Sequence, residues 1–433
     1  MAVLETDGQK SLADVLRPGQ ALDVALTLAL LAAASAYMVA ALWENWPIDM
    51  AAIYYASKFY GLGQPELVYA ASERFFGGPV SPEWEALAQS EGATLGSTVP
   101  YLYPPIWAVL LAPVTTAMPP MEFFRLTLLL QTVIFFACVP LAWRLIRPTN
   151  MPLTLFAAIA CGLALWTYHG LFAFLLNQPQ LLVVSLTILA FERQSSGAST
   201  AAGIALGLAA ALKVTPILFV VVFLMARDWK AAWVACATAG LFALLSLGLA
   251  GPELHWAMLE QLRLVNSFLF VGNINHGLET ILVHFADPLA SVPAQEGGMF
   301  SIRASEAWAN AITKVLLLAG TAATWWATRH AEKPQALQLL AMTNLVILCG
   351  PLGWSHYFVA SLVLLPALFA RLSPRIGFVL FMITAFLLGQ PLSLLLLDIP
   401  VPDLYVAWIG AAWLLAIFGL TLASARPRNA DSA

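Results

Sequence analysis

Trp46-Pro-Ile-Asp-Met-Ala-Ala-Ile-Tyr-Tyr-Ala-Ser-Lys-Phe-Tyr60 follows closely on an apolar run at about 22–43, and its reading decides how the rest of the chain is understood. The run has the length of a membrane helix, which needs about 20 mainly apolar residues. The quoted stretch therefore begins where the chain leaves hydrocarbon. Its aromatic and aliphatic residues suit a segment lying along lipid headgroups. Asp49, at the head of that segment, is placed to act as a base at the bilayer surface. Equally, an acidic residue at this point can serve only to keep a helix end in water.

The composition carries the same message across the whole chain. Of 433 residues 61% are hydrophobic and 10% charged, against roughly 45–50% and 25% in soluble domains. A polytopic membrane protein is expected. The net charge of -4 and the lack of a Lys/Arg run exclude a nucleic-acid partner, which would need a basic face. Cys138, Cys161, Cys236 and Cys349 all fall inside apolar runs without paired spacing, so neither a zinc site nor a disulfide framework is implied. Met1 to Gln20 is polar and shows no small-residue cleavage pattern, so the first helix is expected to remain as an anchor.

Twelve spans are expected, at roughly 22–43, 122–143, 152–170, 178–191, 200–212, 214–226, 231–250, 307–328, 336–350, 353–370, 375–396 and 404–424. The fold class is all-α, and the chain is one membrane domain, residues 1–433, without repeats or linkers. The apolar region 103–118 is bounded by Tyr103-Pro-Pro105 and Met118-Pro-Pro120 and is read as re-entrant or interfacial. Charge decides this. With 103–118 left out, Lys10, Arg17, Arg144, Arg147, Arg193, Arg227, Lys230, Arg329, Lys333, Arg371, Arg375, Arg426 and Arg428 all face the cytoplasm, as the positive-inside rule requires. Two large outer loops result, about 44–121 and 251–306, the second with a helical-looking piece at 253–271.

Under this topology the unusual polar residues share the outer face. They are Tyr103, His169, Asn177-Gln178, Lys213 ahead of Pro216, Asn273, Asn275-His276, and Trp354-Ser-His356-Tyr357. Taken singly, a Lys beside Pro can snorkel to the interface, an interfacial His can be a satisfied packing residue, and Asn residues cap turns. Such readings leave the convergence on the Asp49 face unexplained, and polar groups at membrane depth usually mark a pathway or a site. The chemistry that would use this set is transfer onto a hydroxyl from a lipid-phosphate donor: a carboxylate takes the proton, Lys and His hold the leaving phosphate, and amides bind sugar hydroxyls. No Asp-Asp or Asp-x-Asp pair suggests a metal, and no Gly-rich phosphate loop suggests a soluble nucleotide-sugar donor.

These residues resemble glycosyltransferase family 87. The resemblance rests on Asp49 with Tyr54-Tyr55, Tyr103-Pro104-Pro105, Asn177-Gln178, Gly203 to Lys213 with Pro216, Asn275-His276-Gly277-Leu278 and Trp354-Ser355-His356. It implies a GT-C fold in the bacterial cytoplasmic membrane. It also implies an inverting transferase that takes a sugar, often mannose, from a polyprenyl-phosphate monosaccharide to a lipid or glycan acceptor at the outer face, with no cofactor beyond that donor. By the same resemblance Asp49 is the general base, Lys213 and His356 lie at the donor phosphate, and Tyr103, Asn177, Gln178, Asn275, His276 and Trp354 bind substrate. The chain departs from the family pattern at Asn275-His-Gly, where Asn-Gln-Ser is expected, and in having a single His in Trp354-Ser-His-Tyr where two are frequent. Both departures bear on sugar and acceptor rather than on fold. The rival reading is a twelve-helix secondary transporter. Carriers, however, are usually built from two related halves with charges near the midplane, and neither pattern is present here.

Overall fold

Proline and glycine set where the apolar runs become helices. The computed structural model describes residues 18–70, 80–148, 151–288, 300–331, 334–397 and 404–425. Of the basic residues used above for orientation, Lys10, Arg17, Lys333, Arg426 and Arg428 lie outside them. Helices Pro82–Ser90, Pro105–Ala117, Pro120–Ala137 and Pro374–Leu387 each open on a proline in the first turn, where its missing N–H costs nothing. The described chain is all-α apart from one two-stranded sheet.

Four of these helices are long and apolar enough to cross a membrane: Gly19–Ala41, Pro120–Ile146, Trp229–Ser267 and Tyr405–Ser424. A fifth is added if Tyr168–Leu175 and Gln180–Ser195, bent by 112°, form one broken span. Seven shorter apolar helices of 10–17 residues accompany them. The twelve apolar runs thus do not become twelve long helices, because several are interrupted by turns.

Two interruptions satisfy each other. The run at 152–170 breaks at Thr167, whose hydroxyl accepts from Gly170 N at 3.0 Å, and the run at 375–396 breaks at Gly389. Thr167 and Gly389 form a β-bridge, and Tyr168 N donates to Leu388 O at 2.8 Å. Broken backbone is tolerated at membrane depth only where protein or water answers its polar groups, and here one break answers the other.

Helix Trp229–Ser267 shows where the chain leaves the bilayer. From Trp229 to Ala250 it is about 33 Å long at 1.5 Å per residue, close to the ~30 Å hydrocarbon core. Gly251 then takes a non-helical φ of 79° ahead of Pro252. His255 stitches this kink, Nδ1 to Gly251 O at 2.7 Å and Nε2 to Ser246 Oγ at 2.9 Å. Beyond it the helix ends at Ser267, so the helical expectation for 253–271 is corrected at its end. Phe268–Gly272 is a strand, antiparallel to Phe300–Ala304 with Phe268 opposite Ala304. Its Phe-Leu-Phe-Val sequence favours a pleated, half-buried surface. In the bilayer part, helix Ser199–Leu212 approaches Trp229–Ser267 through Gly203 and Gly207. A Cβ on either would fall 2.6 Å from Ala231 O or 2.5 Å from Thr238 Cβ, so small residues here permit close backbone approach.

The helices meet in two cores. The larger joins the bundle, from Leu31 and Met38 to Leu414 and Ile417. At one end of it Asp23 accepts from Leu153 N and Thr154 N, Arg144 pairs with Glu192 at 2.9 Å, and Ser199 bonds Asp228. The smaller core is aromatic and lies at the other end, around Tyr54, Tyr55, Phe59, Trp84, Tyr101, Tyr103 and Phe124. It packs helix Ile48–Gly61 against Pro105–Ala117. The latter's 13 residues make about 20 Å of helix. Lys58, ion-paired to Glu91, closes this aromatic core.

Candidate active site

Asp49 is the second residue of helix Ile48–Gly61, in its first turn, where the helix dipole favours negative charge. The helix is held from several sides. Trp46 Nε1 donates to Ser97 O at 2.9 Å and its ring meets Phe124 edge-on at 5.2 Å, while Tyr54 and Tyr55 are fully buried. Asp49 itself stays partly exposed, and its Oδ2 accepts from the Gln178 amide. Gln178 Oε1 in turn accepts from the Tyr103 hydroxyl at 2.9 Å, and Tyr103 O accepts from the Tyr69 hydroxyl at 2.6 Å.

Lys213 enters from the end of helix Ser199–Leu212, where the backbone turns extended. Its Nζ lies 4.4 Å over the Tyr357 ring and 6.0 Å over that of Tyr103. Trp107 Nε1 donates to Ala211 O at 3.1 Å, so the 103–107 segment bridges the Asp49 and Lys213 sides. Burial pushes the Asp49 carboxyl up to about 6, against the pull of the Gln178 amide and the Lys213 charge. Burial also brings Lys213 down to about 7, with Asp49 opposing. Each charge supports the other. His356 is buried beside Tyr357, ring centroids 4.5 Å apart, and neither of its ring nitrogens has a hydrogen-bond partner among the described residues.

Other residues expected at the substrate are engaged within the fold. Asn177 has a left-handed φ of 49°, donates to Phe124 O at 3.0 Å and Thr127 Oγ1 at 2.9 Å, and accepts from Gln131 at 3.0 Å. It anchors the turn that delivers Gln178. Asn275 donates to Phe270 O and Thr280 Oγ1, both at 2.8 Å, and accepts from Gly277 N at 3.0 Å and Gly353 N at 2.8 Å. Its amide capacity is used up. His276 is fully buried between Ser355 Oγ at 2.9 Å, His169 Nε2 at 3.2 Å and Ala407 O at 3.2 Å. Trp354 bridges Asn275 and packs on Phe270 at 4.7 Å. The structure thus brings Asp49, Tyr103, Gln178, Lys213 and His356 together and sets Asn177, Asn275 and His276 to holding loops. Tyr357, part of the Trp354–Tyr357 stretch noted on the outer face, joins the site, and so does Tyr69, which the sequence does not mark. Tyr357 is adjacent to His356 in the chain, whereas nothing in the sequence around Tyr69 points to Tyr103. Among the described residues no three His, Cys, Asp or Glu side chains gather as metal ligands do.

Fold and site define a helical membrane protein with a half-buried acid–base pair at one end of its bundle. Comparison with known proteins narrows this class. Residues 101–352, more than half of the chain, match the pattern of glycosyltransferase family 87, and the chain belongs to that family. It is also 27% identical over 282 residues to a polyprenol-phosphate-mannose-dependent alpha-(1-2)-phosphatidylinositol mannoside mannosyltransferase of Mycobacterium tuberculosis (strain ATCC 25618 / H37Rv), covering 61% of either chain. This chain therefore spans less than two thirds of that relative's length. Asp49 precedes the family-matched stretch.

Proposed function

We propose that this glycosyltransferase moves a single sugar, mannose, from a polyprenyl-phosphate donor to a hydroxyl of a lipid-linked or envelope-glycan acceptor. The observation that carries the reading is the half-buried Asp49–Lys213 pair, with the unpartnered His356 ring beside it. In the reaction the acceptor O–H proton goes to Asp49 and the acceptor oxygen bonds the anomeric carbon. The bond from that carbon to the phosphate oxygen breaks, its electron pair leaving with the polyprenyl phosphate. Lys213 and His356 meet the charge that grows there. One displacement of this kind inverts the anomeric centre. Tyr103 and Gln178 stand beside Asp49. The mannosyl donor in the relative's name supports the choice of sugar.

The chain is read as one GT-C domain of twelve crossings in the cytoplasmic membrane, with the Asp49 end outside. Support comes from the basic residues at the opposite helix ends and turns, Arg144, Arg147, Arg193, Arg227 and Arg329, which the positive-inside rule assigns to the cytoplasm. The test is transfer of labelled mannose from polyprenyl-phosphate mannose by purified wild-type and Asp49→Asn protein, with donor binding measured in parallel. Asp49→Asn is expected to bind donor and to lose about two or more orders of magnitude in rate. Near-normal transfer by the variant would remove Asp49 from the mechanism.

A further inference from the structure

The environment of the Asp49 carboxylate is lopsided. Gln178 holds Oδ2, whereas Oδ1 has no hydrogen-bond partner among the described residues. Gln178 is 3% exposed and Tyr103 7%, so neither side chain has room to trade partners with water. The direction of each bond in this chain follows from what the groups can do. An ionised carboxylate only accepts, so the NH₂ of Gln178 must face Asp49. The amide oxygen then faces Tyr103, whose hydroxyl must donate. Burial holds that phenol well above its ordinary pKa, so the donor proton stays in place over the working pH range.

We infer that Gln178 is a positioning residue for Asp49: oriented by the Tyr103 hydroxyl, its amide occupies one carboxylate oxygen and leaves the other for the acceptor hydroxyl. This rests on the reading of Asp49 as the base. It changes what Gln178 does, since both polar ends of its amide are engaged within the protein. The left-handed turn at Asn177 supports the assignment. Asn177 N donates to Phe174 O and Gln178 N to Ala173 O, closing helix Tyr168–Leu175, while the Asn177 side chain ties the turn to helix Pro120–Ala137. The Gln178 amide is thus delivered to Asp49 from a rigid turn 129 residues away in the chain. Tyr103 comes from a third segment, pinned through the Tyr69 hydroxyl. A base held this way presents its free oxygen, Oδ1, to the acceptor.

The assignment makes a prediction that packing or sugar binding would not. A hydrogen bond to the ionised carboxylate favours that form, so its loss must raise the pH at which Asp49 becomes active. Transfer is measured as kcat/KM against pH for wild type, Asp49→Asn, Gln178→Leu, Tyr103→Phe and the Gln178→Leu/Tyr103→Phe double variant, all in the same detergent or lipid preparation. In Gln178→Leu the acid limb is expected to move up by about one pH unit, with roughly tenfold lower rate near that limb. Tyr103→Phe, which frees the amide to turn its oxygen toward the carboxylate, should move it the same way by less. In the double variant Tyr103→Phe should add nothing to the shift from Gln178→Leu, because Tyr103 acts through the amide. Asp49→Asn losing activity while Gln178→Leu leaves the acid limb in place, with only KM raised, would overturn the positioning role and leave the base intact. Asp49→Asn keeping its activity would overturn both.

Discussion

Two polar clusters adjoin at the Asp49 end of the molecule, and they are built on opposite plans. Around Asn275 every amide hydrogen and lone-pair direction of that side chain is answered, by Phe270, Thr280, Gly277 and Gly353, and His276 beside it is held by Ser355, His169 and Ala407, with Nδ1 of His169 left without a partner among the described residues. Around Asp49 the groups are only half answered. Asp49 keeps one oxygen open, Lys213 faces aromatic rings without a carboxylate in ion-pair contact, and both ring nitrogens of His356 lack partners among the described residues. Buried polar groups are normally satisfied, and each exception calls for a reason. The saturated cluster holds the chain in place, and under the proposed function the unsaturated one is left open for substrate.

This contrast can be broken or sharpened by substitution. The largest effect after Asp49→Asn belongs to Lys213. Without its charge on the departing phosphate, Lys213→Ala should lose about 100-fold in turnover, as when a single charge-stabilising donor is removed from other active sites, and Lys213→Arg should recover part of it. Full activity in Lys213→Ala would make the lysine a packing residue, and the open cluster would lose its defining cation.

Next in size is the pH dependence. Asp49 must be ionised, so the rate rises as pH climbs through its raised value of about 6. Lys213 must be charged, so the rate falls as pH passes its lowered value of about 7. A narrow bell is therefore expected, falling about tenfold per pH unit on either side, with limits that belong to the coupled pair. A profile flat from about pH 5 to 8 would show that this pair does not govern the rate.

The saturated cluster should answer in stability. Asn275→Ala strips the acceptor from Gly277 N and Gly353 N, which remain buried. The cost is about 2–3 kcal/mol, read as a lower melting temperature in detergent, while transfer per folded molecule stays near that of wild type. A variant that melts normally and is inactive would place Asn275 with the substrate after all. Ser355→Ala is the smallest change. His276 keeps His169 and Ala407, so the loss is about 1 kcal/mol with turnover unchanged. A large kinetic defect there would join the two clusters into one functional unit.

Much of this was legible before folding. Hydrophobic run lengths put the chain in a membrane, and the pairs Pro104-Pro105 and Pro119-Pro120 bound the run at 103–118. It forms the 13-residue helix packed on Ile48–Gly61. The breaks at Thr167 and Gly389 each carry a local mark, Tyr168-His169-Gly170 after the first and Gln390-Pro391 after the second, but only the partner break satisfies the backbone that either one exposes. The strand at Phe268–Gly272 was missed for a related reason. Its pairing partner, Phe300–Ala304, lies beyond the 278–286 helix, and a strand without its neighbour has no local signature distinct from a short apolar helix.

For the site, residue type determined chemical capacity: a carboxylate that can take a proton, a lysine that can meet a phosphate, amides that can donate and accept. The order of those residues along the chain was also enough to suggest the family. Which capacities are spent inside the protein was decided only by tertiary structure. Asn177 and Gln178 are neighbours of nearly the same chemistry, yet one turns to helix Pro120–Ala137 and the other to Asp49, because the left-handed φ at Asn177 sends their side chains to different partners. Hydrogen bonds act over about 3 Å. The atoms that come that close here are brought in by segments 46 to 129 residues apart, and sequence spacing carries no information about such meetings.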